Sequence, residues 1–596
     1  MCSIIGCINT ANTSPNTSSN TSSGISSKLV SGLSHMEYRG YDSVGVSMLD
    51  GDAIFTQKDV GKVSVVNDLY HLDKMTGTVG IGHTRWATHG KVNHSNAHPH
   101  HCNSGKISLV HNGVITNHEE IRTLYLSKFE FFSETDSEVI VNLIQYYYDI
   151  CFDPLQAVME CISKLEGHYS FIVLFSDGTI ISAKHHEPLI IGVSSNEYFF
   201  CSDVLGFVQY TDDAIFLENK NIAVYNGKGL SIYDFSGKKI TLPITKVSTK
   251  FTLPDKKNFA HYTLSEITQQ GDDTSEMYCN DLYCKEISTA ADLIKSAKNI
   301  VIAGSGTSYN AAVLAKFVFS KYAGIRLDTL VSSEVSHLSH EIIDSSVFIA
   351  ISQSGESADI INAVKLAKSK NCTVVTITNN VESSLAKLSD VVIGISAGTE
   401  IGVAATKSYT AQIITLYKIL CEISNVTISF DTIPKLIKKI IDDDNIGIIA
   451  SQLISHKDIY IIGRGIHYTA SLEYALKIKE LTYIHAESMF AGELKHGPLA
   501  QIDSSSLVIA IIPADETHQD MLNTIAQIKT RSGKILGISN ENNKLFSHLI
   551  TLPQCDELIL PILEVVISQL LSYHMAITLN HDPDHPQNLA KSVTVK

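Results

Sequence analysis

The sequence lacks several features that would place it in a specialised class of protein. No apolar stretch approaches the ~20 residues that span a bilayer, so we expect no transmembrane segment and no membrane partner. The formal net charge is −16 and Lys and Arg form no basic stripe, which argues against nucleic acid as a partner. The opening MCSIIGCINT lacks the basic and long apolar regions of a signal peptide, so a cytoplasmic location is expected.

Other absences narrow the chemistry. The 11 cysteines are scattered over 596 residues without a CxxC pair, which indicates reduced thiols rather than a disulfide framework or a cysteine-ligated metal. The pattern G-x-x-x-x-G-K-[ST] does not occur, which disfavours a nucleoside triphosphate as ligand. The sequence therefore predicts neither a cofactor nor a metal.

The pattern of apolar and polar residues changes along the chain. From residue 79 to about 235, short β-type runs surround a helix-like stretch near 136–165, which predicts a sheet-rich α+β domain. Beyond a polar stretch at 245–262, buried strands alternate with amphipathic helices, as in parallel α/β sheets. Residues 10–27 are almost free of apolar side chains and are predicted to be an exposed, mobile insertion.

The second half contains an internal repeat. IVIAGSGTSY at 300–309 aligns with IYIIGRGIHY at 459–468, and VVTITN at 374–379 aligns with ILGISN at 535–540. A third pair has nearly the same sequence offset: ISQSGES at 351–357 aligns with IIPADET, although the polar residues differ. The repeat predicts two doubly wound parallel sheets, whose ligands bind beyond the carboxyl ends of the strands.

Cys2 is the first candidate for chemistry. Once Met1 is removed, Cys2 carries a thiol and a free α-amine, and an amine titrating near ~8 can accept the proton of a thiol titrating near ~8.5. Such a residue can attack a carboxamide. An ordinary second residue is the alternative, and the motifs that follow decide between the two interpretations.

Five stretches accompany Cys2: EYRGYDS at 37–43, GHTRWATHG at 82–90, NAHPH at 96–100, HNG at 111–113 and SETDSEV at 133–139. Together they resemble the class II glutamine amidotransferase domain. That resemblance implies an α+β N-terminal-nucleophile (Ntn) glutaminase fold with stacked sheets between helices. It also implies that glutamine is a substrate, hydrolysed at Cys2.

The resemblance assigns roles to residues of these motifs. Asn112 and Gly113 form the oxyanion hole in this interpretation, because a glycine turn lets a backbone N–H face the tetrahedral oxygen. Arg85 holds the α-carboxylate of glutamine, and Asp136 holds its ammonium group. Trp86 gates an ammonia passage. The other glutamine-binding candidates are Arg39, Thr88 and His89.

Neighbouring histidines allow a second interpretation. His94, His98, His100 and His101 could form a metal cluster, although nothing nearby supplies a helical i,i+4 pair or a carboxylate. In the resembled family, the NAHPH segment lines the active site without a metal. The family usually begins Cys-Gly-Ile, whereas this chain has Ser3, which fits if its φ stays negative.

Two hydroxyl-rich loops in the second half predict a phosphate site. GSGTSYN at 304–310 and SQSGES at 352–357 each follow a buried strand and lead into a helix, so that backbone N–H groups point at an anion. One GxG turn alone could be a tight turn, but two such loops can encircle one phosphate. They resemble the sugar isomerase domain, present here twice. The sugar-phosphate-binding candidates are Gly306, Thr307, Ser308, Ser352, Gln353, Ser354, Ser357, Val403 and Ala590.

Three more stretches extend the resemblance over nearly the whole chain: EIGVAATKSYTAQ at 400–412, LEYALKIKELTYIHAESMFAGELKHGPLA at 472–500 and NLAKSVTVK at 588–596. Lys477 lies three residues before Glu480, on the same face of a predicted helix, and is a further catalytic candidate. The resemblance implies that Glu480 moves a proton between C1 and C2 of a sugar, that His496 assists ring opening from the neighbouring subunit of a homodimer, and that Lys591 acts at the sugar carbonyl.

The combined resemblance implies an amidotransferase that uses glutamine to convert fructose 6-phosphate to glucosamine 6-phosphate. Amidophosphoribosyl transfer needs a pyrophosphate-binding loop and asparagine synthesis an SGGxDS loop, and neither pattern occurs. A regulator that only senses sugar phosphates should lack the catalytic candidates. The predicted boundaries are 2–240 for the glutaminase, 241–262 for a linker, 263–440 and 441–587 for the sugar isomerase domains, and 588–596 for an active-site tail.

Overall fold

Two units make up the chain in the computed structural model, which describes residues 2–10, 24–87, 89–247, 256, 258–272, 274–279 and 282–592. The first unit is Met1–Pro254 with Ser592–Val595, and the second is Asp255–Lys591 with Lys596. The strands of the first unit are β1 (Ser3–Asn9), β2 (Ser43–Asp50), β3 (Ala53–Val60), β4 (Val79–Arg85), β5 (His100–His101), β6 (Ile107–Ile115), β7 (Gly167–Phe175), β8 (Ile180–His185), β9 (Ile190–Val193), β10 (Glu197–Cys201), β11 (Asp213–Phe216), β12 (Asn221–Tyr225), β13 (Leu230–Asp234), β14 (Lys239–Ile240) and β15 (Thr245–Lys246).

These strands form two sheets in the first unit, flanked by helices. One sheet has the order β15-β11-β9-β10-β1-β4-β2-β3 and the other β14-β13-β12-β8-β7-β6-β5, with antiparallel pairing throughout. The helices are α1 (Ile25–Met36), α2 (Val63–Tyr70), α3 (His118–Tyr125), α4 (Asp136–Cys151) and α5 (Pro154–Ile162). The stacked α+β architecture predicted for the glutaminase is confirmed.

Side-chain alternation builds the layers of this unit. On β1, Ile4 and Ile8 belong to a core shared with residues of the second sheet such as Ile172, while Ile5 packs on the opposite face with Leu29 of α1. Because successive strand residues point to opposite faces, one strand of apolar residues supports both layers. The result is helix, sheet, sheet and helix in four layers.

Three features of this unit differ from the predictions. The predicted insertion at 10–27 lies mostly outside the described residues, but Ile25 is buried and begins α1, because its spacing with Leu29 and Leu33 gives that helix one apolar face. The helix-like stretch near 136–165 is two helices, since Phe152 has φ +55° and Pro154 starts the second. Strand β15 lies inside the predicted linker and pairs with β11.

The second unit contains the repeat. Its strands are β16 (Ile300–Gly304), β17 (Asp328–Val331), β18 (Val347–Ser352), β19 (Thr373–Thr378), β20 (Val391–Gly394), β21 (Asp458–Gly463), β22 (His485–Phe490), β23 (Leu507–Ile511), β24 (Lys534–Ser539) and β25 (His548–Thr551). Its helices are α6 (Tyr262–Gln269), α7 (Glu276–Cys279), α8 (Cys284–Ser296), α9 (Thr307–Ala323), α10 (Ala358–Ser369), α11 (Ser384–Leu388), α12 (Lys407–Ile423), α13 (Ile433–Ile441), α14 (Asn445–Leu453), α15 (Ile466–Thr482), α16 (His518–Lys529) and α17 (Leu560–Thr578).

The two copies of the repeat have the same topology. Their parallel sheets have the orders β17-β16-β18-β19-β20 and β22-β21-β23-β24-β25, so the first strand of each lies second in its sheet. Ile300 pairs with Val347 in one copy, and Ile459 pairs with Leu507 in the other. This is the doubly wound order 2-1-3-4-5, and it confirms the fold class predicted for the second half. We name the copies the first module (β16–β20) and the second module (β21–β25).

Both modules share one interior. A single apolar cluster includes Ile302 and Ile349 of the first module, Ile461 and Ile509 of the second, and Val566 of α17. Helix α17 has 19 residues with a mean hydropathy of 1.4, enough by length and composition to cross a membrane, but 89% of it is buried inside the protein. Its apolar character is therefore explained by its place in a protein core.

Candidate active sites

Strand β1 brings Cys2 to the end of β4. Ser3 pairs with Thr84, so Cys2 lies beside Arg85 and Trp86, and the Trp86 N–H donates to Cys2 Sγ over 3.1 Å. Burial raises the pKa of the Cys2 thiol, while the N-terminal ammonium group, the Trp86 amide and Arg85 oppose that rise. The Trp86 amide and Arg85 therefore favour the thiolate form, whereas burial and the charge of Asp42 oppose it.

Strand β6 places both predicted oxyanion residues at the nucleophile. Asn112 Nδ2 donates to the carbonyl oxygen of Cys2 over 3.0 Å. The next residue, Gly113, has φ +116°, and a Cβ there would collide with the carbonyl oxygen of His168 on the neighbouring strand. Only glycine fits this backbone, and it directly follows the residue whose side-chain amide contacts Cys2.

Arg85 and Asp136 supply buried charges of opposite sign in the same region. The Arg85 guanidinium donates to the carbonyl oxygen of His89, and burial lowers the pKa of Arg85 while the charges of Cys2 and Asp136 oppose that shift. Asp136, at the start of α4, accepts the Ile115 N–H over 2.8 Å. Such a pair is complementary to the α-carboxylate and α-ammonium groups of an amino acid.

The remaining glutamine-binding candidates and Trp86 each have different contacts. Arg39 is buried and donates to Asp203 over 3.1 Å and to the Ser202 carbonyl over 3.2 Å, so it fixes the end of β10. His89 contributes its carbonyl to Arg85, whereas Thr88 lies outside the described residues. Trp86 packs edge-on against Tyr41, with ring centroids 5.9 Å apart.

The predicted histidine cluster is a stack of buried imidazoles. His98 stacks on His83 with ring centroids 4.0 Å apart and meets His100 edge-on at 4.5 Å. Burial lowers the pKa of all three rings, so each is neutral at pH 7. His94, by contrast, is exposed. The stack supports the sheet end behind Cys2.

Ser3 is accommodated without strain. It lies in extended β1, its side chain is buried, and its hydroxyl donates to the Met36 carbonyl at the end of α1 over 2.8 Å. Because neighbouring strand residues face opposite sides, the Ser3 side chain points away from the side that Cys2 occupies. The serine in place of the family's glycine therefore joins the strand to α1.

A second site lies in the first module. A cavity of about 160 Å³ opens at the carboxyl ends of β16 and β18, as the repeat predicted. Helix α9 begins after Gly306, and α10 begins after Ser357, so the positive ends of two helix dipoles meet there. The cavity is lined by Ser305, Thr307, Ser308, Ile351, Ser352, Gln353, Ser354, Ser357, Ile360, Val403, Ala405, Glu480, Leu589, Ala590 and Lys591. Of the predicted sugar-phosphate residues, only Gly306 is outside this lining.

Helix α15 of the second module brings acid–base groups to the cavity of the first. The Lys477 ammonium lies 2.5 Å from Glu480 Oε2 and 3.3 Å from Glu473 Oε1, one helical turn to either side. Burial opposes the charged form of Lys477, but Glu480 and Glu473 raise its pKa to about 12. Glu473 is anchored in turn by Asn310 and Thr307 of α9. The lysine is thus a fixed cation behind Glu480.

The C-terminal segment closes one side of the same cavity. Lys591 Nζ lies 2.5 Å from Glu400 Oε2 and donates to the Gly402 carbonyl over 2.8 Å. Burial favours a neutral Glu400, but the Lys591 charge and the Ser408 hydrogen bonds lower the pKa of Glu400 to about 2. His496 is exposed on a turn and does not line the cavity of its own chain.

Comparisons with known proteins place these two sites in one family. The glutamine amidotransferase domain model matches residues 83–209, and the SIS domain model matches 293–420 and 452–579. A glutamine–fructose-6-phosphate aminotransferase (isomerizing) from Pyrococcus horikoshii is 38% identical, with 100% of both chains covered. The relative of the same name from Caldanaerobacter subterraneus subsp. tengcongensis is 36% identical, again with 100% of both chains covered. The chain belongs to the glutamine–fructose-6-phosphate aminotransferase (isomerizing) family.

A solved structure supports the same assignment for the second unit of this aminotransferase. The C-terminal domain of glucosamine-fructose-6-phosphate aminotransferase from Francisella tularensis is 32% identical, with a TM-score of 0.51. It covers 56% of this chain and 100% of that chain.

Three buried carboxylates of the aminotransferase escaped the sequence analysis: Glu266, Glu400 and Glu473. The spacing of Glu473, four residues before Lys477, was a signal for that residue alone. Glu266 and Glu400 lie far apart in the sequence and meet only in the fold, where Glu266 accepts the Ile401 N–H.

One group of potential metal ligands occurs among the described residues. His467, Asp515 and Glu557 place their ligand atoms within 4.8 Å of one another. However, His467 Nδ1 and Nε2 are bonded to Glu564 over 2.7 Å and to Asp515 over 2.8 Å. Burial opposes the charged ring, but these carboxylates raise the pKa of His467 to about 10. The ring is therefore an imidazolium, which has no lone pair for a metal.

Proposed function

We propose that this chain transfers the amide nitrogen of glutamine to fructose 6-phosphate and isomerises the product, giving glucosamine 6-phosphate and glutamate. The observation that carries the proposal is the presence in one chain of the Cys2 site and of a hydroxyl-rich cavity that also holds Glu480 and Lys591. The first suits hydrolysis of an amide. The second suits a sugar phosphate whose carbonyl carbon is to be aminated.

In the glutaminase half, the Cys2 sulfur attacks the carboxamide carbon of glutamine. Asn112 Nδ2 and the Gly113 N–H stabilise the oxyanion, and Arg85 and Asp136 hold the amino-acid end. The α-amine of Cys2 accepts the thiol proton and returns it to the leaving nitrogen, so that ammonia departs and a thioester remains. Water then cleaves the thioester to glutamate and the free thiol.

In the sugar half, the hydroxyls of the 352–357 loop and the N-termini of α9 and α10 bind the phosphate. Ammonia, passing Trp86, condenses with the C2 carbonyl and releases water. Glu480 then removes a proton from C1 and delivers it to C2, while the C1 hydroxyl proton passes to the imine nitrogen, so that the C2 imine becomes an amine and C1 becomes an aldehyde. Lys591 acts at the sugar carbonyl, and the Lys477 ammonium, 2.5 Å from Glu480 Oε2, holds that carboxylate in place.

Two further features belong to the proposal. A homodimer is proposed because His496 is exposed and absent from its own cavity, as a residue serving a partner subunit must be. A cytoplasmic location is proposed because buried thiols such as those of Cys7, Cys161 and Cys201 stay reduced there.

The test measures both products of the purified chain. With glutamine and fructose 6-phosphate we expect glucosamine 6-phosphate and glutamate in equal amounts. Cys2→Ala should lose glutamine-dependent synthesis by at least about 10³-fold yet keep synthesis from ammonium salts, because only the nucleophile is removed. Cys151→Ala, a partly exposed cysteine of the same unit, should change neither activity.

Two results contradict the proposal. If the wild-type chain makes no amino sugar from either nitrogen source, the reaction is wrong. If Cys2→Ala still hydrolyses glutamine at the wild-type rate, the nucleophile is wrong.

A further inference from the structure

Helix α6 braces the cavity of the first module from behind. Glu266 on this helix is buried, and its Oε1 accepts the backbone N–H groups of Ile401, at 2.5 Å, and of Gly402, at 3.3 Å. The packing is close, because a Cβ on Gly402 would lie 3.0 Å from Glu266 Oε2 and 2.8 Å from the Thr263 hydroxyl. One carboxyl group therefore fixes the backbone of the segment at 400–403.

That segment carries both partners of Lys591. Glu400 binds the Lys591 ammonium through its side chain, and Gly402 binds it through its carbonyl oxygen. The following residue, Val403, lines the cavity. A shift of the segment would therefore move the ammonium group of Lys591 with it.

The same helix also holds the chain just before the C-terminal segment. The Tyr262 and Thr263 N–H groups, at the start of α6, each donate to Asp584 over 2.8 Å. The Asp584 carbonyl in turn accepts the Val403 N–H over 3.3 Å. Helix α6 thus contacts both chain segments that position Lys591, one through Glu266 and one through its N-terminal amides.

We propose that Glu266 is a positioning residue for Lys591, acting as the acceptor of backbone N–H groups of the 400–403 segment. The inference rests on the proposed function. Burial and the nearby charge of Glu400 raise the pKa of Glu266 to about 8, so the group is mostly protonated at pH 7. A neutral acceptor of two N–H groups is a role that glutamine can also fill.

Three substitutions separate this role from a role for charge. Glu266→Gln keeps the acceptor and should retain at least half of the wild-type kcat for ammonium-supported synthesis. Glu266→Asp keeps the acid but is one methylene too short, so kcat should fall at least fivefold. Glu266→Ala leaves two buried N–H groups without an acceptor and should lose at least tenfold. The KM for fructose 6-phosphate should change less than threefold, because the phosphate loops are untouched.

The control is Thr268→Ala, which removes only a hydroxyl bonded to its own helix at Leu264 and should leave kcat unchanged. The proposal is overturned if the aspartate variant is more active than the glutamine variant, since charge would then be the requirement. It is also overturned if kcat falls only in parallel with the melting temperature. Glutamine hydrolysis should be unaffected throughout, and failure of the wild-type chain to form amino sugar would refute the proposed function instead.

Discussion

The two modules have the same backbone topology, but different side chains surround the carboxyl ends of their strands. Gly306, before α9, has φ +53° and ψ −125°, and Gly465, before α15, has φ +58° and ψ −130°. In the first module the turn and the neighbouring loop surround the cavity with hydroxyl groups. In the second, the buried imidazolium of His467 and the carboxylate of Asp515 occupy the corresponding position.

The difference shows how a duplicated fold divides its work. A helix N-terminus favours an anion, and in the second module the chain supplies one itself, in Asp515. The first module leaves that place to a ligand. Helix α15 begins at the internal ion pair and ends at the cavity, which Glu480 lines and behind which Lys477 is buried. In this interpretation the first module binds the phosphate of the substrate, and the second module supplies the acid–base groups.

The largest expected effect comes from the acid–base side of this division. Glu480→Gln should reduce ammonium-supported synthesis by about 10²–10⁴-fold, because a positioned general base contributes that much, while glutamine hydrolysis continues. Glu487→Gln, an exposed glutamate on β22 of the same module, is the matched control. Assays of glucosamine 6-phosphate and glutamate distinguish the two. Loss of both activities in Glu480→Gln would point to a structural role.

The binding side predicts a smaller effect of a different kind. Ser357→Ala removes a hydroxyl from the cavity and should raise the KM for fructose 6-phosphate about tenfold, since a hydrogen bond to a charged group is worth about 1.5–3 kcal/mol. Its counterpart in the second module, Thr517, donates to Asp515 instead. Thr517→Ala should leave the KM unchanged. An equal rise in both variants would contradict the division between modules.

The smallest effect on activity, and a clear effect on stability, is expected from the internal ion pair. Asp515→Asn should lower the free energy of unfolding by about 2–3 kcal/mol at pH 6, because it removes one partner of a buried charge. Synthesis should be unchanged. Urea unfolding of both proteins measures the difference. Asp458→Asn breaks an exposed pair with His485 in the same module and should cost less than about 0.5 kcal/mol.

The pH dependence of that difference has a definite sign. The pKa of His467 is raised from 6.5 to about 10, so its contribution is complete below pH 6.5 and is lost as the pH rises through 10. The pKa of Asp515 is lowered from 3.8 by hydrogen bonds from His467 and Thr517 that outweigh its burial, so its contribution is lost only in acid. The wild type and Asp515→Asn should therefore differ most between about pH 4 and 6.5. A difference that persists unchanged at pH 10.5 would refute the pairing.

Hydrophobic pattern and repeat spacing were enough to predict the two parallel sheets of the second unit, whereas the stacked sheets of the first unit were expected only from the family resemblance. The parallel strands are continuous buried runs such as IVIAG at 300–304, and the glycine turns mark where each helix begins. The end of the first-unit insertion was harder, because Ile25 is an isolated apolar residue beside a polar tract. Its burial depends on a helix packing against β1 and β4, which the local sequence does not show.

The site residues divide in the same way. Residues such as Ser352, the last of β18, and Ser354, just after it, were predictable because they lie at the end of a buried strand and their chemistry is local. Glu266 and Glu400 were not, since each looks like an ordinary helix or loop carboxylate until the fold buries the two side by side. Long-range pairing of like-charged groups leaves no periodic trace in one sequence.

Because the two modules share one hydrophobic core, each depends on the other to stay folded. Helix α17 packs among side chains of both modules. If the chain were cut between the modules, neither would therefore keep a complete hydrophobic core. We expect the severed second copy to present a 19-residue apolar helix to water and to aggregate or seek a lipid surface. We therefore expect the two modules to unfold together as one cooperative unit.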